Sequence, residues 1–359
     1  MAVVRPASCG CWSCCSIAWP SAAILRAPPP PPPLRLLRSP SPAASSVCIP
    51  ASSTAASRSD GRSTMSRHVR VAVVGDVHDN WDLEEDAKAL HFLGADLVLF
   101  TGDFGNENVD LVKSVAKLNL PKAAILGNHD SWHTSQFSKK KTDGVQLQLE
   151  CLGEQHVGYR RLDFPLLNLS VVGGRPFSCG GKKLFREKLL SERYGVKDME
   201  SSARKIFEAA VGAPAGHTLI LLAHNGPTGL GDRADDICGR DWVPGGGDHG
   251  DPDLAMAIDD LKRGAPRPIP LVVFGHMHKE LARGGGLRKM IAVGEGGTVY
   301  LNGAVVPRVR PAGEDQKELR GFTVVEAVDG RLRKISETWV LVCGEEAMIA
   351  EETVIFEGL

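Results

Sequence analysis

The feature that most constrains this chain is a series of five apolar segments that each end in side chains able to bind metal ions. The first segment, residues 69–74, is rich in β-branched residues and runs into Gly75, Asp76, Val77 and His78. Such a segment predicts a buried strand that carries polar side chains at its carboxyl tip. The other four segments share this design and end in Gly102-Asp103, in Gly127-Asn128-His129-Asp130, in His224, and in Gly275-His276-Met277-His278.

These strand ends are expected to meet, because ligand sites of open α/β sheets form outside the carboxyl ends of the strands. Two strand-helix-strand units in succession predict a parallel sheet with right-handed crossovers. Residues 131–154 show no clear periodicity and read either as a wall of the site or as a solvated basic turn. The predicted helices span residues 81–93, 107–118, 182–192, 198–211 and 253–262, and a further strand spans residues 166–174.

The pattern changes to alternating apolar and polar residues after residue 289. Segments 298–306, 321–326 and 337–342 read as strands, and Val328-Asp329-Gly330 is typical of a hairpin turn. These segments suit an antiparallel second sheet. We therefore expect the α/β class, as a four-layer αββα sandwich of two mixed sheets flanked by helices.

The ordered motifs resemble those of the calcineurin-like metallophosphoesterase superfamily. That family carries Asp-x-His, Gly-Asp, Gly-Asn-His-Asp or Gly-Asn-His-Glu, a single His, and Gly-His-x-His, and all five occur here in order between Asp76 and His278. The resemblance covers roughly residues 69–306 and implies the same αββα sandwich. The amino-acid sequences of segments 223–231 and 274–278 also resemble those of a plant and cyanobacterial subgroup of this family.

The chemistry of these side chains points to metal ions without reference to the family. Imidazoles, carboxylates and an amide oxygen suit Mn, Fe or Zn, and the set lacks the thiolates of a structural zinc site. The ligands are too many for one ion, and Asp103 as a shared carboxylate would hold two. Two ions about 3.5–4 Å apart clamp a phosphoryl group and lower the pKa of a bridging water, which supplies hydroxide for in-line attack.

The resemblance implies a role for each motif residue. His129 would act as the acid toward the leaving oxygen, and Asp130 would orient that region or only cap the next turn. Relatives place an acidic partner for this histidine three positions after the bridging Asp, where this chain has Asn106. The implied metal ligands are Asp76, His78 and His278 for one ion, Asp103 as the bridge, and Asn128, His224 and His276 for the other.

Several residues outside the motifs are weaker candidates. Arg175, Arg240 and Lys279 are either phosphate contacts or surface groups, and His249 with Asp248 is either a substrate contact or loop wiring. The glycine-dense segment 226–251 lies between two ligand-bearing strands, which favours a functional loop. Gly75, Gly102, Gly127 and Gly275 are expected to allow tight turns that aim the ligands.

The expected function is hydrolysis of a phosphomonoester or phosphodiester. Protein Ser/Thr phosphatases carry Gly-Asp-x-x-Asp-Arg-Gly, whereas residues 102–108 here read Gly-Asp-Phe-Gly-Asn-Glu-Asn and lack that arginine. A small molecule or nucleotide is therefore the favoured substrate, with a phosphoprotein as a remaining alternative. A catalytically silent binding or scaffold protein with this fold is the rival hypothesis, and a nuclease is a third.

The beginning of the chain differs in composition from the remainder. The first 59 residues contain no Asp or Glu, five Arg, twelve Ser and a run of six prolines. We expect residues 1–66 to be an organellar transit peptide or disordered leader, directed to the chloroplast because proline disfavours the amphipathic helix of a mitochondrial one. A mitochondrial or secretory address, and a cytosolic protein initiated at Met65, remain alternatives. The predicted catalytic domain spans residues 67–345, with 346–359 as a tail packed on or flanking it.

Charge and cysteine content narrow the possible partners. Five of the 42 basic residues lie in the first 59, which leaves 37 basic against 43 acidic groups, a balance of −6. This balance disfavours nucleic acid as a partner. Cys151, Cys179, Cys238 and Cys343 are widely spaced, which predicts neither a disulfide framework nor a thiolate zinc site. No apolar run reaches the ~18 residues of a membrane span.

Overall fold

The computed structural model describes residues 66–264, 267–283, 285–313 and 317–358. The predicted leader therefore lies outside the described residues apart from Ser66, and so does the alternative start at Met65.

The described chain alternates strands and helices in its first two thirds and is almost all strand after residue 290. The strands are β1 (His68–Val74), β2 (Leu97–Phe100), β3 (Lys122–Ala124), β4 (Arg161–Phe164), β5 (Leu169–Gly173), β6 (Thr218–Leu222), β7 (Leu271–Phe274), β8 (Ile291–Val293), β9 (Val299–Asn302), β10 (Val309–Pro311), β11 (Glu318–Val328), β12 (Arg331–Cys343) and β13 (Glu346–Glu357). The α-helices are α1 (Leu83–Phe92), α2 (Val109–Ala116), α3 (Gly144–Leu152), α4 (Glu187–Tyr194), α5 (Met199–Val211) and α6 (Pro252–Gly264).

The strands form two mixed sheets. The first has the order β13-β12-β11-β1-β2-β3, with β10 paired to β11, and the second has the order β4-β5-β6-β7-β9-β8. β1, β2 and β3 are parallel, as are β5, β6, β7 and β9. The predicted four-layer αββα sandwich of two mixed sheets is confirmed.

The assignment of strands to sheets was predicted wrongly. The C-terminal strands do not form a separate antiparallel sheet, because β11 pairs antiparallel with β1 and so extends the first sheet. β9 instead joins the second sheet parallel to β7. The physical reason is that β1 is buried and needs hydrogen-bond partners on both edges, and β2 satisfies only one of them. Alternation of side chains does not reveal which edge a strand will join.

The two faces of β1 show how the layers are held together. Val71 and Val73 face the second sheet and pack in a core with residues such as Ile220 and Val273. Ala72 and Val74 point the other way, toward the helix-covered core. A strand buried on both faces reads as a continuous apolar run, which is what residues 69–74 show in the sequence.

Polar residues at the helix starts explain where several helices begin. The side chains of Asp82, Asn108 and Asp143 each accept a hydrogen bond from a backbone N–H of the first turn, and Asp198 forms a capping box with Ser201. The five predicted helices are present with shifted ends. α3 and β4 were missed, because their residues showed no clear period.

The predicted C-terminal tail is part of the first sheet. Residues Glu346–Glu357 form β13, which pairs antiparallel with β12 along its length. The domain therefore continues beyond residue 345. The predicted hairpin turn is confirmed, since Asp329 and Gly330 join β11 to β12 with φ values of 50° and 76°. No helix among the described residues is long and apolar enough to cross a bilayer.

Candidate metal centre

The turns after β1, β2, β3, β6 and β7 meet at one edge of the two sheets. They bring together two groups of side chains, each with one carboxylate and two imidazoles whose donor atoms lie within 4.8 Å of one another. The first group is Asp76, His78 and His278, and the second is Asp103, His224 and His276. The predicted convergence of distant segments is what the structure has, and all six residues were named from the sequence.

The first group is built on Asp76. Its carboxylate accepts hydrogen bonds from the His276 backbone N–H at 2.9 and 3.0 Å and from the Thr101 hydroxyl at 3.1 Å. One of its oxygens lies 3.5 Å from His278 Nε2. The Nε2 atoms of His78 and His278 face each other at 3.0 Å. Two imidazole nitrogens and a carboxylate oxygen thus converge on one point.

The second group is built on Asp103 and includes the predicted amide ligand. His224 Nε2 lies 3.4 Å from Asp103 Oδ1 and 2.9 Å from Asn128 Oδ1. His224 Nδ1 donates to the Thr101 carbonyl at 2.7 Å. This hydrogen bond fixes the ring so that Nε2 faces the two oxygens. Asn128 therefore joins the second group, as the resemblance implied.

The site has a buried floor and an open rim. Asp76, Asp103, Asn128 and His224 are buried. By contrast, the side chains of His78, His129, His276 and His278 are only half-buried. A substrate would therefore approach from the side of the four rim imidazoles.

The backbone at the site is held in an unusual conformation. Four of the candidate ligands, Asp76, His78, Asp103 and His276, have φ between 38° and 66°. Left-handed backbone costs about 1–3 kcal/mol at a residue other than glycine and persists where the surrounding structure enforces it. Such strain concentrates at functional sites, and here it coincides with the ligand positions.

The motif glycines mainly provide room. The φ of Gly102 is 101°, as expected for a tight turn. At Gly127, however, a Cβ would lie 2.3 Å from Asp103 Oδ1 and 2.4 Å from His224 Cε1. At Gly275 it would lie 2.1 Å from Asp76 Oδ1. These two glycines let the carboxylates approach the neighbouring strands, and the turning expected of them is done by the ligand residues.

The electrostatics of the floor call for positive charge. Burial disfavours a charged His224, but Asp103 outweighs burial and raises the pKa of His224 to about 10. Burial also opposes the charge of Asp103, but His224 and His129 hold the pKa of Asp103 below its usual value. Burial and the neighbouring His224 lower the pKa of His276 well below its usual value. The carboxylates are thus charged and His276 is neutral, which are the forms that bind a metal ion, whereas His224 releases a proton when it does so.

This donor set fits a pair of metal ions. The ion pairs found for Asp76 and Asp103 are with imidazoles, His278 and His224 respectively. Buried carboxylates require a cation, and these imidazoles provide one only while they are protonated, so a bound metal ion can take the place of their protons. Mixed nitrogen and oxygen donors without sulfur suit Mn, Fe or Zn.

His129 lies at the rim beside the first group. Its ring meets that of His78 edge-on at 5.0 Å, and its Nδ1 lies 2.6 Å from Asn106 Oδ1. The residue three positions after Asp103 is therefore the partner of His129, although it is an amide and not a carboxylate. Because Asn106 Oδ1 accepts a hydrogen bond from His129 Nδ1–H, the Nε2 atom of His129 is the one that can exchange a proton with a ligand.

Asp130 lies beneath the site, where its carboxylate contacts the backbone of the neighbouring turns. It is fully buried. Its carboxylate accepts from the backbone N–H groups of Asp103, Phe104 and Gly127 at 2.7 to 2.9 Å. These contacts fit the orienting role expected of Asp130 and leave it no direct part in catalysis. It is a positioning residue that ties the turn after β2 to the turn after β3.

Two of the candidate phosphate contacts are also corrected. Arg175 is buried, and its guanidinium pairs with Asp251 at 2.7 Å and with Asp253 at 3.0 Å. A cation whose donors are committed in this way is not available to a substrate. Lys279 forms an ion pair with Glu337. Both residues serve the structure around the site.

His249 and Arg240 remain near the centre. The ring of His249 stacks over His276 with 6.1 Å between centroids, and His249 Nε2 donates to the Cys179 carbonyl at 2.7 Å. Burial lowers the pKa of His249, with a contribution from the positive charge of Arg240. Asp248 accepts hydrogen bonds from the Thr228 hydroxyl and the Gly229 N–H, so it stabilises the loop and does not face a substrate.

Two residues that support the site were missed. Thr101 holds Asp76 through its hydroxyl and His224 through its carbonyl. Arg288 is buried and donates to the carbonyls of His278, Ala234, Asp236 and Gly239 at 2.6 to 3.1 Å. The position of Thr101 before Gly-Asp was a usable signal. Arg288 lies ten residues after the last motif, and nothing in the sequence singled it out.

Comparison with known proteins identifies one family. The model of the calcineurin-like phosphoesterase family matches residues 69–280. No curated protein matches the chain.

Solved structures with a related arrangement have little sequence in common with this chain. A dimetal phosphatase from Danio rerio is 8% identical, with a TM-score of 0.40 over 81% of this chain and 99% of that one. A conserved predicted phosphoesterase from Streptococcus pneumoniae is 11% identical, with a TM-score of 0.30 over 80% of this chain and 98% of that one. PhoD is 9% identical, with a TM-score of 0.42 over 81% of this chain and 72% of that one. TM-scores below 0.5 establish neither the fold nor the function of this chain.

Proposed function

The chain belongs to the calcineurin-like phosphoesterase family, and from this premise we propose that it hydrolyses a phosphate ester with the help of two metal ions. The observation that carries the proposal is the pair of adjacent carboxylate-imidazole groups at one sheet edge, with their donor atoms within 4.8 Å in each group. One such group alone would suit a single ion. Two of them, side by side under an open rim, suit a phosphoryl group held between two cations.

The residues would divide the metals between them. Asp76, His78 and His278 would hold one ion, Asn128, His224 and His276 the other, and Asp103 would contribute to both. When bound, a pair of ions supplies Lewis acidity and a nucleophile at neutral pH. Mn, Fe and Zn all suit this donor set.

The chain itself would handle the leaving group. His129 lies on the open rim, and Asn106 Oδ1 at 2.6 Å from Nδ1 engages that nitrogen and leaves Nε2 for a ligand. A proton on Nε2 could then pass to the leaving oxygen as its bond to phosphorus breaks. Asp130 would keep His129 and Asp103 in register, since it accepts from the backbone of both turns.

Two observations support a proposal for the substrate class. Arg175 and Lys279 are paired with carboxylates, so neither offers a free cation to a phosphoprotein. The stretch after Gly102 lacks the arginine with which protein Ser/Thr phosphatases grip phosphate. A small phosphate ester or nucleotide is therefore the substrate we propose.

The test combines metal analysis with turnover. The full chain, loaded separately with Mn, Fe and Zn, is expected to retain two ions per protein and to hydrolyse a chromogenic monoester or diester. A protein that binds no metal and turns over neither ester under any loading would overturn the proposal.

The role of His129 has its own test. In His129→Gln, hydrolysis of an alkyl ester should fall about 10²-fold or more, and hydrolysis of a p-nitrophenyl ester should fall much less, because nitrophenolate leaves without a proton. Metal content should stay at two ions. His133→Gln, which changes an exposed histidine on the same turn, is the matched control. Equal losses for both esters would exclude His129 as the acid.

A further inference from the structure

Trp132 is a large aromatic side chain left open beside the proposed acid. Its side chain is 42% exposed. The indole stacks on the His129 ring with 4.7 Å between centroids and 17° between planes. Among the described residues it packs into neither of the two hydrophobic cores. Packing of the two cores therefore does not explain why a tryptophan stands at this position.

The turn that carries Trp132 is held firmly. Glu107 accepts from the backbone N–H groups of His133 and Thr134 at 2.8 Å and from the Thr134 hydroxyl at 2.6 Å. Arg186 donates to the Trp132 carbonyl at 2.9 Å, and Gln148 donates to the Asp130 carbonyl at 2.7 Å. These bonds hold the backbone on both sides of Trp132, and stacking on His129 holds the indole, so part of its ordering cost is met before any ligand binds.

The indole of Trp132 lies next to the residue proposed to protonate the leaving group. His129 lies between Trp132 and His78, since its ring contacts both at 4.7 and 5.0 Å. The departing alcohol must pass His129 if that residue protonates it. One face of the indole is covered by the His129 ring, so the open part of Trp132 lies next to the proposed acid, where a planar ring of the leaving group can stack on it.

We propose that Trp132 is a specificity-determining residue that stacks on an aromatic ring in the alcohol portion of the substrate. This inference rests on the proposed phosphoester hydrolysis. The substrate class it names is a phosphate ester whose leaving group carries a planar aromatic ring, either an aryl group or a nucleobase. Stacking of a base on an aromatic side chain contributes enough for about a tenfold preference.

A second exposed tryptophan provides the matched control. Trp242 is 38% exposed, and its ring meets His249 edge-on at 4.9 Å. His249 in turn stacks over His276, a member of the second group. Trp242 is thus similarly open, but its neighbouring imidazole is not the proposed acid.

The experiment compares esters that differ in one ring only. The metal-loaded full chain is given 2-phenylethyl phosphate and 2-cyclohexylethyl phosphate, whose leaving alcohols have similar acidity and size, both as monoesters and as methyl diesters. We expect kcat/KM to favour the aromatic ester. In Trp132→Leu this preference should fall about tenfold, and in Trp132→Phe most of it should remain. Trp242→Leu should keep the wild-type preference.

Further arms distinguish the two sources of the ring. Adenosine 5′-phosphate compared with ribose 5′-phosphate tests a nucleobase, and phenethyl compared with cyclohexylethyl ester tests an aryl group. An unchanged preference in Trp132→Leu, or an equal loss in Trp242→Leu, overturns the inference while hydrolysis itself stands. Absence of turnover for every ester would contradict the proposed function instead.

Discussion

Two buried regions of this protein contain carboxylates and neutralise them in different ways. Asp86 in α1 is fully buried, and its carboxylate pairs with Arg308 at 2.5 Å and with Arg320 at 3.1 Å. Asp103, which is also buried, has His224 as its ion-pair partner at 3.4 Å. The first carboxylate is paired with permanent cations of the chain. The second is surrounded by groups that are cationic only when protonated.

This difference indicates which buried charge is structural and which is reserved for a ligand. An arginine stays charged at any physiological pH, so the carboxylate of the Asp86 cluster, defined as Asp86, Arg308 and Arg320, needs no ion from solution. Imidazoles can exchange a proton for a metal ion, so the charge at Asp103 can be balanced by an ion from solution. The following predictions test whether the two regions differ in this way.

The largest expected effect is on the stability of the Asp86 cluster. In Asp86→Ala two guanidinium groups lose their shared carboxylate in the interior, and the free energy of unfolding should fall by about 3–5 kcal/mol. Chemical denaturation with and without a chelator measures it, and the loss should be the same in both. Glu326→Ala, which breaks an exposed pair with Arg70, should cost less than about 1 kcal/mol. A loss that depends on metal would remove the distinction between the two regions.

The next effect concerns metal binding at Asp103. Changes to groups that merely support metal ligands cost about 10–100-fold, so Asp103→Asn should lower kcat/KM by more than about 100-fold. The rise in melting temperature on adding metal should shrink with it, because a ligand stabilises only what it binds. Metal content and thermal melts of variant and wild type measure both quantities. A variant with full metal content and full activity would show that Asp103 is not a ligand.

His156 is a third kind of buried titratable group, because it has no counter-charge among the described residues. Burial, aided by Arg193 and Arg160, lowers its pKa to about 3, and its Nε2 lacks a hydrogen-bond partner in the described structure. The unfolded chain takes up a proton near its ordinary pKa of about 6.5 and the folded chain does not. This contribution to stability is therefore present at pH 7 and is lost as the pH falls from about 6.5 toward 3.

The expected size of that loss is about 2 kcal/mol between pH 7 and pH 5. His156→Gln should remove it, so that the unfolding free energy of the variant changes less over this range than that of the wild type. Denaturation curves at pH 7, 6 and 5 measure the difference, with His91→Gln at an exposed position as control. Parallel pH profiles for wild type and His156→Gln would contradict the assignment.

The smallest expected effect is that of replacing Arg288, whose guanidinium joins the turn at His278 to the loop of residues 234–239. Arg288→Lys keeps the charge but cannot reach the four carbonyls that the guanidinium now contacts, so kcat/KM should fall about tenfold. The unfolding free energy should change less than in Asp86→Ala. Arg233→Lys, at an exposed position of the loop whose carbonyls Arg288 contacts, is the control. A fall in stability without a fall in kcat/KM would assign Arg288 to the fold alone.

The sequence predicted which side chains meet at the sheet edge, because these residues follow buried strands directly. Asp76, Asp103, Asn128 and His224 each lie at or within two residues of a turn that ends an apolar run, and the carboxyl ends of parallel strands have to meet. The αββα layers followed from the same pattern. Local sequence carried the positions of these side chains, and the resemblance to a known family supplied the roles expected of them.

Contacts between segments that are distant in the chain account for the features that the sequence did not predict. Arg175 looked like a free cation after a strand, but Asp251 and Asp253 lie more than seventy residues away in the chain. Arg288 joins segments some fifty residues apart. The edge that β11 chooses depends in the same way on β1, which begins 250 residues earlier. Periodicity within a segment contains none of these pairings.

The strand β13 has a practical consequence for anyone who shortens this protein. A chain ending at residue 345 would uncover the backbone N–H and C=O groups of the thirteen-residue β12. An unprotected edge of that length invites pairing with other molecules, so the shortened protein is expected to precipitate or to form soluble multimers. Its loss of activity would then report on the missing edge strand and not on the chemistry of the metal centre.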